Sequence, residues 1–123
     1  MIRVALVDDY CILRDAMKHF LTLWDDLRIV LEAANGKDLL NRLVISREMP
    51  DVIVMDAQMP VMDGYQATRY LTLHYPFIKI LGMSADEEVE QKMLDCGAAC
   101  FLPKGIDSDK IVEKIYALAT DVN

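Results

Sequence analysis

The stretch VIVMDAQMPVMDG, residues 52–64, decides how the chain is read. Four apolar residues, Val52 to Met55, run without alternation into Asp56, and a proline turn follows. A strand on a half-solvated sheet alternates polar and apolar residues, whereas an unbroken β-branched run bounded by turn residues belongs to a sheet covered on both faces. DVIVMD (51–56) is therefore expected as a buried central strand that delivers a carboxylate at its carboxyl end, with GYQATRYLTL after Asp63 as the next helix.

Outward from there the pattern repeats. IRVALV (2–7) reads as another fully buried strand, and after Asp8, Asp9 and Tyr10 the residues Leu13, Ala16, Met17, Phe20 and Trp24 recur at helical spacing. LRIVLEA (27–33) is a strand, followed by Asn35, Gly36 and a helix bearing Leu39, Leu40 and Leu43. IKILGMS (78–84) is a strand that Gly82 is expected to weaken. ADEEVEQKMLDCG (85–97) predicts a helix with acids in its first turn, a Glu88–Lys92 pair and Gly97 as its stop. ACFLP (99–103) is the last strand, and Asp107 is placed to cap a final helix carrying Ile111, Ile115 and Leu118. Five strands alternating with five helices imply right-handed βαβ units: an α/β fold, a doubly wound five-stranded parallel sheet with helices on both faces.

Composition narrows the function classes. A chain of 123 residues with 54% hydrophobic and 27% charged residues is expected to form one domain over 1–123. No apolar run is long enough to cross a bilayer, the first residues lack the character of a signal peptide, and the cytoplasm is the expected compartment. Cys11, Cys96 and Cys100 form no CxxC pair, which argues against a zinc site or disulfide framework and for small buried hydrophobes. A net charge of −7 with scattered Lys and Arg argues against direct nucleic-acid binding by this domain.

In open parallel sheets, ligands sit beyond the carboxyl ends of the strands. The residues leaving the strands there are Asp8 and Asp9, Asp56, Ser84 and Lys104. Three carboxylates in one crevice repel each other and suit a hard divalent cation with oxygen ligands, Mg²⁺ rather than zinc, since no His or Cys lies at these strand ends. A lysine and a hydroxyl opposite them suit a phosphoryl group held between cation and ammonium, and an aspartate can itself accept that group as an acyl phosphate. Any one of these residues alone would be an ordinary turn, cap or surface residue; their conjunction at one edge is what carries the reading.

The ordered set Asp8–Asp9, Asp56 with Met59–Pro60 and Asp63–Gly64, Ser84–Ala85, and FLPK ending at Lys104 resembles the receiver domains of two-component response regulators, over essentially the whole chain. The resemblance implies a flavodoxin-like strand order 2-1-3-4-5 and Asp56 as the phosphoacceptor. It implies that Asp9, Asp56 and the Gln58 carbonyl ligate Mg²⁺, with Asp8 acting through a water. Ser84 and Lys104 would contact the phosphoryl oxygens, and the N–H groups of Ala57 and Ala85 would complete the cradle. It further implies a sensor histidine kinase as phosphodonor, inward movement of Phe101, and a changed surface on the fourth helix, fifth strand and fifth helix. Such a domain is a signalling module rather than a conventional enzyme, with an output domain or partner protein downstream, and it admits a homodimer.

VDDYCILRDAMKHFL, with Arg14 after the acids, is more similar to receivers that precede LuxR/NarL-like helix-turn-helix domains, so the implied output is transcription through a DNA-binding domain outside this chain. The chain departs from the commonest family pattern at Lys104, which follows a proline and precedes Gly105 instead of preceding a proline. Gln58 and Asp86 are expected to flank the path of attacking water and tune the phosphoryl lifetime. Two rivals stand beside this reading. An aspartyl-nucleophile phosphatase of the haloacid dehalogenase kind looks for a second aspartate two residues after the nucleophile, where this chain has Gln58. A receiver-like module that binds partners without phosphorylation lacks nothing it needs.

Overall fold

The computed structural model describes residues 1–120. In chain order the elements are β1 (Ile2–Val7), α1 (Cys11–Leu21), β2 (Leu27–Ala33), α2 (Gly36–Ile45), β3 (Val52–Asp56), α3 (Gly64–His74), β4 (Lys79–Ser84), α4 (Glu90–Cys96), β5 (Cys100–Pro103) and α5 (Ser108–Ala119). The strands form one parallel sheet in the order β2-β1-β3-β4-β5. The expected α/β fold and strand order are both found.

The sheet is covered on both faces because its central strands are apolar at every position. Side chains alternate across a strand, so β3 sends Ile53 and Met55 into one apolar layer and Val52 and Val54 into the other. β1 splits the same way, with Ala5 and Val7 on one face and Val4 and Leu6 on the other. The first layer is closed by Leu39 and Leu43 of α2, Ala67 and Leu71 of α3 and Met93 of α4; the second by Leu21 of α1 and Ile111, Val112 and Ile115 of α5. All five residues of β3 are buried, and each large side chain so placed is worth ~1.5–3 kcal/mol.

Local signals set the helix starts. The Asn35 side chain accepts from the Asp38 N–H at 2.9 Å and the Asp38 carboxylate accepts from the Ala34 N–H at 3.1 Å, a reciprocal cap for α2. Asp63 caps α3 by accepting from the Gln66 N–H at 2.9 Å. Gly64 lies so close under the end of β3 that a Cβ there would sit 2.1 Å from the Asp56 carbonyl oxygen.

Several expectations need correction. Trp24 lies beyond the end of α1, in a turn, where its ring meets Phe20 edge-on at 4.9 Å between centroids. The helix expected over 85–97 is a 3-10 turn at Glu87–Val89 followed by the short α4, because Asp86 caps the turn by accepting from the Glu88 N–H at 2.9 Å. No ion pair joins Glu88 to Lys92 among the described residues; the Lys92 ammonium lies 4.1 Å above the Tyr65 ring instead. Asp107 precedes α5 without a side-chain cap bond. Gly82 does not interrupt β4, which pairs through it with Met55 and Phe101; the Met93 methyl fills the space a Cβ would take, at 2.8 Å. Of the cysteines only Cys96 is buried, while Cys11 is exposed and Cys100 intermediate.

The contact at Gly64 carries a test. Gly64→Ala must push the start of α3 away from the end of β3 and is expected to lower unfolding free energy by about 3 kcal/mol, read from urea denaturation; an unchanged midpoint would contradict the close approach.

Candidate functional site

The parity of the strands aims the acids. β1 and β3 are in register at Leu6 with Val54 and Val7 with Met55, so the next step sets Asp8 beside Asp56. Both carboxylates continue the side of the sheet taken by Leu6 and Val54, the side covered by α1 and α5. Across the sheet, Asp56 pairs with Met83 and Ser84 with Pro103, which brings Lys104 to the same edge. Leu6, Val54, Met17 and Met83 line the floor beneath Asp8, Asp56 and Lys104. The five residues expected at this edge are thus all found there.

Lys104 is the local counter-charge. Its ammonium lies 3.0 Å from Asp8 Oδ2 and 3.3 Å from Asp56 Oδ1. Burial alone would lower the lysine's pKa, but the hydrogen bond it donates to Asp8 and the charges of Asp56 and Asp8 outweigh it, so the group is held above its ordinary value. Asp56 is only 5% exposed. Desolvation, together with repulsion from Asp8, pushes its carboxyl up to about 6 despite the attraction of Lys104 and the Gln58 N–H.

The reach of Lys104 is set by its backbone. Its N–H donates to the Ser84 carbonyl at 2.8 Å, and the Ile106 N–H closes a turn onto the Pro103 carbonyl at 3.4 Å. Gly105 occupies that turn at φ +91, a left-handed conformation that glycine adopts without cost, and no cis peptide occurs among the described residues.

The acids fit a hard cation. Asp8, Asp9 and Asp56 each offer a carboxylate oxygen, all within 4.8 Å of one another, a donor set that matches Mg²⁺ and not a soft metal. Asp9 is exposed, and no hydrogen bond or ion pair holds its side chain among the described residues. On the loop after β3, the Gln58 N–H faces Asp56 Oδ1 at 3.4 Å. The Ala57 N–H, expected to join a phosphoryl cradle, is committed to the β3–β4 ladder: it donates to the Met83 carbonyl at 2.9 Å. The donor facing the Asp56 carboxylate is therefore Gln58, a residue expected here through its carbonyl. Ala85 follows Ser84 on the exposed turn. Val61 stands at φ +69 in the same loop, within a tight turn that the Met62 N–H closes on the Pro60 carbonyl at 2.8 Å.

Ser84 is buried, and its hydroxyl oxygen accepts from the Asp86 N–H at 3.0 Å. Phe101, expected to swing inward, already lies inward: it is 8% exposed, against the space left by Gly82 and among residues packed with Met93. A phenyl ring has no hydroxyl to draw it to solvent, so burial is its resting place. Arg14, noted in the sequence only as a mark of subclass, reaches the site from α1 by donating to the Asp8 carbonyl.

Comparisons with known proteins identify the family. The response regulator receiver domain profile matches residues 4–116, and the chain belongs to that family. Response regulator GacA of Pseudomonas viridiflava is 36% identical over 118 residues, covering 94% of this chain and 54% of that protein. Transcriptional regulatory protein DegU of Brevibacillus brevis is 31% identical over 120 residues, covering 96% of this chain and 50% of that protein. The chain thus spans about half the length of these relatives. Among solved structures, the signal receiver domain of the response regulator NarL from Mycobacterium tuberculosis superposes with a TM-score of 0.83 at 28% identity, covering 96% of this chain and 95% of that one. No helix of the described residues is long and apolar enough to cross a membrane.

Two outcomes follow from the site's electrostatics and backbone. A carboxyl at about 6 when folded and 3.8 when free takes up a proton more readily folded, so its buried charge opposes folding above pH 6 and that penalty fades as pH falls toward 4. In Mg²⁺-free buffer Asp56→Asn is expected to raise unfolding free energy at pH 7.5 by on the order of 2 kcal/mol, with the gain shrinking at pH 5. Nothing lies within 4 Å of a Cβ built on Gly105, so backbone strain alone decides substitutions there. Gly105→Ala is expected to lose about 1 kcal/mol and Gly105→Asn less, both measured by urea denaturation.

Proposed function

We propose that this receiver domain accepts a phosphoryl group on Asp56 from the phosphohistidine of a sensor histidine kinase and later releases it to water. The observation that carries the proposal is the buried Asp56 carboxylate, facing Lys104 at 3.3 Å within a group of three acids at the sheet edge. Asp8, Asp9 and Asp56, with the Gln58 carbonyl, would hold Mg²⁺. When bound, the cation neutralises the acids and the charge on the phosphoryl oxygens.

An Asp56 carboxylate oxygen attacks phosphorus, the phosphorus–nitrogen bond breaks, and its electron pair stays on the imidazole, which takes a proton. The product is an acyl phosphate on Asp56. Asp56 needs no general base, because at about 6 its carboxyl is mostly ionised at neutral pH. Lys104 supplies positive charge to the phosphoryl oxygens, and the Gln58 and Ala85 N–H groups are the main-chain donors proposed for them. For release, water attacks phosphorus and the carboxylate leaves as inorganic phosphate forms. The domain thereby promotes its own phosphorylation and dephosphorylation, with Gln58 and Asp86 beside the water's approach.

Phosphorylation adds roughly −1.5 to −2 charges beside Ser84. Drawing the Ser84 hydroxyl toward that group would withdraw the acceptor now held by the Asp86 N–H at 3.0 Å. The 3-10 turn that Asp86 caps leads directly into α4, so the displacement would reach the surface formed by α4, β5 and α5. A partner or output domain that prefers one state reads the result. The likeness to the transcriptional regulatory protein DegU supports a transcriptional output, through a DNA-binding domain outside this chain.

Incubation with acetyl phosphate and Mg²⁺, followed by intact mass measurement, tests the reading. Wild type is expected to gain one phosphoryl group, Asp56→Asn none, and Lys104→Ala to react roughly 100-fold more slowly. Equal gain in wild type and Asp56→Asn would overturn Asp56 as acceptor, and no gain in wild type would favour a module that works without phosphorylation.

A further inference from the structure

Asp9 is the exposed member of the acid group, and its side chain has no partner among the described residues. Its position is set by the main chain on either side. Asp8 is fastened by its N–H, which donates to the Ala33 carbonyl of β2 at 3.1 Å, and by its Oδ1, which accepts from the Tyr10 N–H at 2.9 Å. The Asp8 carbonyl accepts from Nη1 of Arg14, and the Tyr10 carbonyl accepts from the Arg14 N–H at 3.0 Å. The Tyr10 bond is the first main-chain turn of α1, and the Arg14 guanidinium adds a side-chain hold on the residue just before Asp9.

The guanidinium is itself aimed. Arg14 Nε lies 3.5 Å from Glu32 Oε1 on β2, and Glu32 Oε2 takes the Lys18 ammonium at 2.8 Å. Arg14 Nε is buried and makes no hydrogen bond among the described residues, so Glu32 holds that side of the fork by charge alone while Nη1 donates to the Asp8 carbonyl. A lysine, with one point charge, could not serve both. Coulomb's law alone makes a cation this close to a divalent-ion site unfavourable, so its presence calls for a geometric account.

We propose that Arg14, aimed by Glu32, is a positioning residue for the cation site: its guanidinium fixes the main chain just before Asp9 and so presents that carboxylate beside Asp8 and Asp56. The proposal rests on the assignment of these three acids as the Mg²⁺ site. Charge and geometry predict opposite signs for its removal. Loss of a nearby positive charge would tighten Mg²⁺ binding, whereas loss of the grip would weaken it, and outer-shell partners of metal ligands typically contribute 10–100-fold.

Mg²⁺ alone is titrated into wild type, Arg14→Met, Arg14→Lys and Glu32→Gln by calorimetry or amide NMR shifts, with thermal unfolding recorded for each. Arg14→Met is expected to bind Mg²⁺ about 10-fold more weakly or worse, and Arg14→Lys and Glu32→Gln to fall between it and wild type. Equal or tighter binding by folded Arg14→Met overturns the proposal, as does a lowered melting temperature with unmoved Mg²⁺ affinity. If Arg14→Met does not fold, Arg14→Lys decides by the same criterion. Wild type that binds no Mg²⁺ overturns the cation site and this role with it, whereas wild-type binding that Arg14 variants leave unmoved overturns the role alone.

Discussion

The ammonium of Lys104 between Asp8 and Asp56, at 3.0 and 3.3 Å, is the interaction around which the sheet edge is organised. β1 and β3 are adjacent and buried, and each ends in a carboxylate on the same side of the sheet. Two such charges, poorly hydrated and side by side, are tolerable only with a cation between them. The chain supplies one from β5, two strands away from β3, and the surrounding backbone serves that delivery. The Lys104 N–H is tied to the Ser84 carbonyl, and Gly105 turns the chain in the left-handed region directly after it.

That arrangement leaves one of the three acids without a counter-charge among the described residues. Lys104 compensates Asp8 and Asp56 but leaves Asp9 facing solvent, and desolvation still holds Asp56 well above an ordinary carboxylate. A group with that character answers strongly to any change of charge beside it. The neighbouring segment is short and held by local bonds: Ser84 to Asp86, Asp86 to Glu88, then seven residues of α4. Phe101 adds no second moving part at rest, since its ring already fills the inward space beside Gly82. On the opposite side, Arg14 joins the loop between β1 and α1 to Glu32 of β2.

Much of this was legible in the residues. The unbroken apolar character of β1 and β3 required two covered faces, and the βαβ alternation then fixed which strand ends share an edge. Asp8, Asp9, Asp56, Ser84 and Lys104 followed from that placement. Features that depend on competition between local bonds were not legible. The start of α4 gave way to a 3-10 turn because the Asp86 side chain satisfied the Glu88 N–H, and Lys92 found a ring on α3 instead of the acid one turn away. The Ala57 N–H went to the strand ladder, leaving Gln58 as the donor toward Asp56.

By itself, then, the sequence determined the layers and the list of residues at the carboxyl ends of the strands, because periodicity and burial act through composition along the chain, while the strand order came with the family resemblance. Tertiary structure alone decided what each of those residues faces. Lys104 meets Asp8 as closely as it meets Asp56, Gly105 holds φ +91 in a trans-linked turn, and Arg14 reaches past Asp9 to the Asp8 carbonyl. The Lys104 contacts join elements far apart in the chain, and all three depend on register, twist and side-chain reach, which no linear pattern encodes.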